Sequence, residues 1–255
     1  MQMNNINQIK NITRSLLATI VLLISMLVQS SAFKVHDSSI KVIVLDAGHG
    51  GKDRGCLSVN GVKEKDLTLE LTKRIGKMIE DSLKGVKVIY TRSDDTYVSL
   101  DDRASIANDN DAVLFVSIHG NAHHNSAMHG TETFVMGLHK EADHKSVCMK
   151  EGILANNDDS VLEIVLSEQK QVERLEWSVR LASRIQDNVR FTGDLSDLGV
   201  NQAGFVVLWK TTMPSVLVET GYLTNLKDER YLTSSEGKNE TAYNIFEAVK
   251  ELYQD

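Results

Sequence analysis

Residues 112–118, AVLFVSI, form a continuous apolar run between Asp111 and His119. A run without polar alternation has to be covered on both sides, which is the condition of a central strand in a parallel sheet. The neighbouring segments fit the same geometry. Residues 41–46 and 86–91 read as strands. Between them, residues 64–83 carry Leu67, Leu71, Ile75, Met78, Ile79 and Leu83 at helical spacing. Residues 100–108 read as a short helix, 130–137 as a strand and 172–189 as a helix. Residues 206–209 and 215–219 read as strands, the second entered through Pro214, the one proline of the chain. Residues 228–232 and 236–253 read as closing helices. This alternation predicts an α/β fold, a single domain with a mostly parallel central sheet flanked by helices on both faces. No repeat, low-complexity tract or linker interrupts it.

The first thirty-two residues do not belong to that body. Lys10 and Arg14 precede an apolar stretch of 13 residues, 16–28, and then Ser30, Ser31 and Ala32. A basic region, a short apolar core and small residues make a secretory signal peptide, with cleavage expected after Ala32. As a helix the apolar stretch would rise roughly 20 Å, short of a bilayer core of about 30 Å, so no stable membrane anchor is expected. No cysteine stands at the cleavage point to carry a lipid. The leader holds two bases and no acid, so the net charge of −7 for the whole chain becomes −9 without it. That balance argues against nucleic acid as a partner. Export permits a Cys56–Cys148 disulfide, but two cysteines do not make a disulfide scaffold.

Chemistry is expected where strands end, since sites in α/β sheets gather outside the carboxyl ends of the strands. The first strand runs into Asp46, Gly48, His49, Gly50 and Gly51; the third runs into His119; the last ends on Glu219. Glu64 opens the first long helix, a short chain distance from His49. A lone histidine is more often a hydrogen-bonded structural residue, and a helix-opening glutamate is favoured by the helix dipole alone. Together, however, two imidazoles and a carboxylate make a catalytic zinc set with one position left open. A second carboxylate, Glu219, would then move the water's proton to the leaving nitrogen. The glycines would let the backbone turn sharply and leave room for a bulky substrate beside His49. An anion site is the weaker alternative, because the spacing matches neither the phosphate loop nor the dinucleotide fingerprint.

"LDAGHGGKDRG", "EKDLTLELTKRI", "VIYTRSDDTYVSLDDRASIAN", "FVSIHGNAH", "GTETFVMGLH" and "PSVLVETGYLTN" resemble, in order, the zinc-dependent N-acetylmuramoyl-L-alanine amidases. These are bacterial cell-wall amidases that assist daughter-cell separation. The resemblance spans residues 40–138 and 172–253. It implies peptidoglycan as the substrate, one zinc ion bound by His49, Glu64 and His119, and Glu219 as the catalytic carboxylate. It also implies an exported protein of the periplasm or cell wall. Ala47 stands where proline is frequent in the family and Gly120 where alanine is frequent; neither removes a ligand.

Around these four residues the expectations are looser. Asp46 either orients an imidazole from behind or caps the turn. Asn121 and Gln202 are substrate hydrogen-bonding candidates, with residues 199–208 placed by the family beside the site. Arg92 and Arg103 read as structural ion-pairing groups, His123, His124 and His129 as loop residues, and Trp177 and Trp209 as packing residues. Residues 140–171 form a long polar insert. In some family members a helix at this position blocks the zinc until an activator protein displaces it, with Glu163 the candidate blocking ligand here; the plain alternative is a solvated excursion. Two rival functions remain at this point: a zinc peptidase acting on another stem-peptide bond, and a wall-binding or regulatory protein that keeps the fold without catalysis.

Overall fold

The computed structural model describes residues 41–137, 160–192 and 195–254, with 160–168 and 192 described as backbone only. The leader, Cys148 and residues 138–159 lie outside the described residues, and the readings of a cleavage site and a disulfide lie there with them.

Six strands form one sheet: β1 (Lys41–Ala47), β2 (Val86–Tyr90), β3 (Leu114–Asn121), β4 (Thr131–Val135), β5 (Asp197–Gln202) and β6 (Ser215–Tyr222). Their spatial order is β2-β1-β3-β6-β4-β5. The pairs β1–β2, β1–β3, β3–β6 and β4–β5 are parallel, while β4 is antiparallel to β6. The direction of β4 follows from chain length. Only residues 122–130 separate it from β3, and a parallel return needs a crossover of roughly a dozen residues or more.

The helices are α1 (Glu64–Ser82), α2 (Leu100–Asp109), α3 (Ser160–Thr192), α4 (Val206–Trp209), α5 (Leu226–Thr233) and α6 (Ser235–Gln254). Strand alternation divides the core in two. Ile43, Leu45, Leu114, Val116 and Ile118 face a cluster built with Leu71, Ile75 and Ile79 of α1, Leu181 and Ile185 of α3, and Ile245 and Val249 of α6. Val44, Phe115 and Leu217 face the other way, onto Ala107 of α2, Val207 and Leu208 of α4, and Met213. The central run 112–118 is thus covered on both sides, as its composition requires. Ser99 caps α2 by accepting from the Asp102 N–H at 3.2 Å, and Asn225 caps α5 by accepting from Lys227 N–H at 2.9 Å.

Two predicted elements differ. Residues 206–209 are one helical turn, not a strand; their apolar side chains bury on the α2 side of the sheet, and so short a run carries no period to separate the two states. The strand near that position is instead β5, whose sequence DLGVNQ lacks an apolar pattern. The helix read from residue 172 begins at Ser160, so the last part of the 140–171 insert is the first part of α3.

Candidate active site

The carboxyl ends of β1, β3 and β6 lie side by side, and each delivers one group. β1 ends at Ala47, and the chain turns through His49, which has φ of 61°, a left-handed conformation uncommon outside glycine. In β3, Phe115, Ser117 and His119 share the face that looks toward α2. Glu64 is the first residue of α1, is 4% exposed, and its backbone N–H donates to the Cys56 carbonyl at 3.0 Å.

These side chains converge on one carboxylate oxygen. Glu64 Oε1 lies 3.0 Å from His49 Nε2 and 3.0 Å from His119 Nδ1. One donor atom from each of the three residues falls within 4.8 Å of the others. Ligands held about 2.0–2.1 Å from a tetrahedral ion are separated by roughly 3.3 Å, so the donor set and its spacing fit zinc. Glu64 also accepts from the backbone N–H of Gly120 at 3.1 Å and of Cys56 at 2.9 Å. Burial pushes its carboxyl up, but the His119 and His49 imidazoles outweigh burial and hold it far below the usual carboxylate range. Burial pushes His49 down, and Glu64 followed by Asp53 brings it back up to about 8. The same burial, with Glu64 adding, pushes the Cys56 thiol up to about 12, so it is no thiolate nucleophile.

A layer of hydrogen bonds fixes this cluster. Asp53 Oδ2 lies 2.9 Å from His49 Nδ1, which leaves Nε2 directed at Glu64. Arg103 donates to Asp46 Oδ1, to the Ala47 carbonyl and to the His49 carbonyl, each at 2.6 Å. Arg92 donates to the carbonyls of Ala47, Gly48 and Lys65 at 2.8–2.9 Å. The ion pair expected of the arginines exists for Arg103, while Arg92 binds main-chain oxygens and ties the His49 turn to the start of α1. Asp46 is fully buried and also accepts from Thr91 and Ser117 at 2.6 Å. Among the described residues its carboxylate bonds Arg103, Thr91 and Ser117 and no imidazole, so it reaches the His49 turn only through Arg103.

The glycines serve the site differently from the sequence expectation. A Cβ on Gly48 would overlap the His119 ring, and one on Gly55, whose φ is 65°, would overlap Glu64 and His49. At Gly50 and Gly51 the space is taken by Thr96, Arg92 and Tyr97. The room is filled by the side chains of the His49–Glu64–His119 cluster and by Thr96, Arg92 and Tyr97 around it, not kept for substrate.

Glu219 pairs with His119 across β3–β6 and with Glu132 across β4–β6. Its Oε2 is buried with no hydrogen-bond partner among the described residues. Burial raises its carboxyl to about 7; His119 opposes this, and the charges of Glu64 and Glu132 add to it. Glu132 in turn accepts from Asn121 Nδ2 at 2.7 Å, Tyr222 Oη at 3.0 Å and Asn201 Nδ2 at 2.8 Å. Asn121 therefore sits at the site, already engaged. Alternation along β5 brings Asn201 to this face and sends Gln202, which is exposed, to the other.

Residues 43–251 match the N-acetylmuramoyl-L-alanine amidase family. The chain belongs to that family. It is 33% identical over 218 residues to the N-acetylmuramoyl-L-alanine amidase AmiA of Escherichia coli K12, covering 82% of this chain and 75% of that one. The solved amidase AmiC2 of Nostoc punctiforme superposes with a TM-score of 0.66 at 30% identity, covering 86% of this chain and 99% of that one. The CwlD amidase of Clostridioides difficile, solved in complex with the GerS lipoprotein, gives 0.63 at 26% identity, covering 84% and 98%. In this amidase no helix of the described residues is long and apolar enough to cross a membrane. The looser candidates fall away from the cluster or onto its rim. His123 Nδ1 accepts from Asn125 N–H at 3.0 Å, and His129 Nδ1 lies 3.2 Å from Ser196 Oγ. Trp209 packs on the α2-side core, and Trp177 lies beneath the Arg180 guanidinium. The side chain of Glu163 lies outside the described residues. Asp53, Glu132 and Asn201, which the sequence did not single out, also border the cluster.

Proposed function

We propose that this amidase is exported and hydrolyses the amide between the lactyl group of N-acetylmuramic acid and L-alanine of the peptidoglycan stem peptide. His49 Nε2, Glu64 Oε1 and His119 Nδ1 would hold one zinc ion, and Glu219 is the general base. The observation that carries this reading is the convergence of those three atoms next to a buried carboxylate oxygen of Glu219 that has no hydrogen-bond partner among the described residues. When bound, zinc polarises the scissile carbonyl and acidifies water. Glu219 takes a proton from the attacking water and returns it to the leaving nitrogen. Burial raises the proton affinity of this carboxyl, the direction that lets it take up the water's proton and hand it on. Asp53 holds His49 in the tautomer that presents Nε2.

The reading is tested by zinc content and digestion products of the wild type and Glu219→Ala. The expected result is about one zinc per chain, as a three-ligand site requires, with released peptides that begin with L-alanine. Glu219→Ala should keep the zinc and lose the products. Peptides of another mass would mean a peptidase acting on a different stem-peptide bond. A folded wild type without zinc would remove the ligand assignment, and with it the mechanism.

Residues 140–171 are proposed to restrict access to this site until a protein activator binds. The last residues of that segment, from Ser160 on, are the start of α3, which packs on the sheet further along its length. CwlD, a relative whose structure was solved in complex with a lipoprotein, is a family member with a protein partner. Deletion of residues 151–168 should raise basal activity; unchanged activity would exclude the restriction.

A further inference from the structure

Past the ends of β3 and β6 lies an open groove of about 590 Å³, lined by Val59, Thr224, Leu226, Lys227 and Arg230 among others. Three segments build it, and hydrogen bonds join them. Val59 N–H donates to the Leu223 carbonyl at 3.1 Å, His123 N–H to Thr224 Oγ1 at 3.0 Å, and Asn225 Nδ2 to the Ser126 carbonyl at 2.7 Å. Glu229, which is 1% exposed, ties α5 to the segment that carries Val59. It accepts from Ser58 Oγ at 2.6 Å and from Asn60 N–H at 2.8 Å. The walls are therefore preformed.

Charge is sorted along the helix that forms one wall. In α5 the acids Asp228 and Glu229 turn inward, where Asp228 accepts from Gly130 and Tyr222 N–H groups. Lys227 and Arg230, three positions apart on the outer face, are exposed, and neither has a carboxylate partner among the described residues. In a chain of net charge −7 these are two cations left free beside one groove. Val59 and Leu226 add exposed apolar surface, 53% and 42% accessible. Thr224 follows Glu219 by five residues, so the groove begins at most about 18 Å from the general base.

We propose that this groove receives the peptide side of the substrate. With L-alanine at the centre, the following residues of an anionic peptide extend along β6 toward α5. Their carboxylates pair with Lys227 and Arg230, and their aliphatic parts lie on Val59 and Leu226. The proposal rests on the amidase reading for the identity of the scissile bond, and it adds a charge requirement two or three residues downstream.

The test uses an acidic tripeptide headed by L-alanine, with its carboxylates free or amidated, titrated calorimetrically into the intact protein. The free peptide should bind the wild type about tenfold more tightly than it binds Lys227→Ala/Arg230→Ala, as expected for two rim ion pairs. The amidated peptide should bind both proteins equally weakly. With muramoyl-tripeptide as substrate, KM of the double variant should rise by a similar factor while kcat holds. If free and amidated peptides bind alike, or the double variant binds as the wild type does, the groove is not a carboxylate site. Lys227→Gln/Arg230→Gln repeats the test should the alanine variant fold poorly. Charge-dependent binding without any cleavage, either by the wild type or by the 151–168 deletion variant, would keep the groove and remove the amidase reading. Cleavage with equal KM for both peptide forms would do the reverse.

Discussion

Glu132 on β4 stands directly opposite Glu219 on β6. Like charges in opposed positions of an antiparallel pair repel, and the arrangement persists because Asn121, Asn201 and Tyr222 all donate to Glu132. Burial does most to raise the Glu219 carboxyl to about 7, and Glu132 contributes its charge to the same direction. As the proposed general base, Glu219 has to be ionised to accept a proton. Glu132→Gln removes a neighbouring negative charge, so Glu219 stays ionised to lower pH. The acid limb of the kcat/KM profile should move to lower pH in this variant. An acid limb in the wild-type position would show that the two carboxylates are not coupled during turnover.

Asp53 is the support behind His49. Its carboxylate lies 2.9 Å from Nδ1, and loss of such an outer partner typically costs about 10–100-fold in metal affinity. Asp53→Ala should weaken zinc by that factor in a competition with a chromophoric chelator. Because Asp53 is exposed, the melting temperature of the metal-free protein should hardly change. Unaltered affinity would mean that the Arg103 contact to the His49 carbonyl suffices to orient the ring.

The fold was legible where burial writes a pattern. The run 112–118 could only be a covered strand, and 64–83 only a helix with one apolar face. His49, Glu64 and His119 were legible because strand ends and a helix start lie at predictable places. What the sequence withheld depends on pairing between distant segments. Glu132 matters because β4 registers it against Glu219, and no local spacing encodes that register. Asn201 faces the site and Gln202 does not, a one-residue difference that only strand alternation decides, in a strand too polar to be recognised. The direction of β4, by contrast, was available from the short connection after β3.

Gly48 is a further point where sequence and site meet. An added Cβ there would sit within the His119 imidazole, so the ring has to leave its place beside Glu64. Metal sites tolerate displacements of only about 0.2 Å in ligand distance. Gly48→Ala should therefore emerge from desalting without zinc, while retaining the far-ultraviolet dichroism of the wild type. Stoichiometric zinc in this variant would show that His119 is not a ligand.

The buried Asp46–Arg103 pair supports the site from beneath and contributes to the acid stability of the fold. Burial alone would raise the Asp46 carboxyl; Arg103, then Ser117 and Thr91, outweigh it and hold it below its ordinary value of 3.8. A carboxyl whose folded value is depressed binds its proton more readily in the unfolded chain. Its contribution to stability is complete above about 3.8 and is lost as pH falls through the lower folded value. Urea midpoints of the wild type should therefore decline below about pH 4, and Asp46→Asn should lack that part of the decline. At neutral pH, Arg103→Met leaves the carboxylate buried without its cation, a change expected to cost about 3–5 kcal/mol. The same variant frees the His49 carbonyl, so zinc affinity should fall with stability. A midpoint within error of the wild type would mean that Thr91 and Ser117 alone can hold the charge.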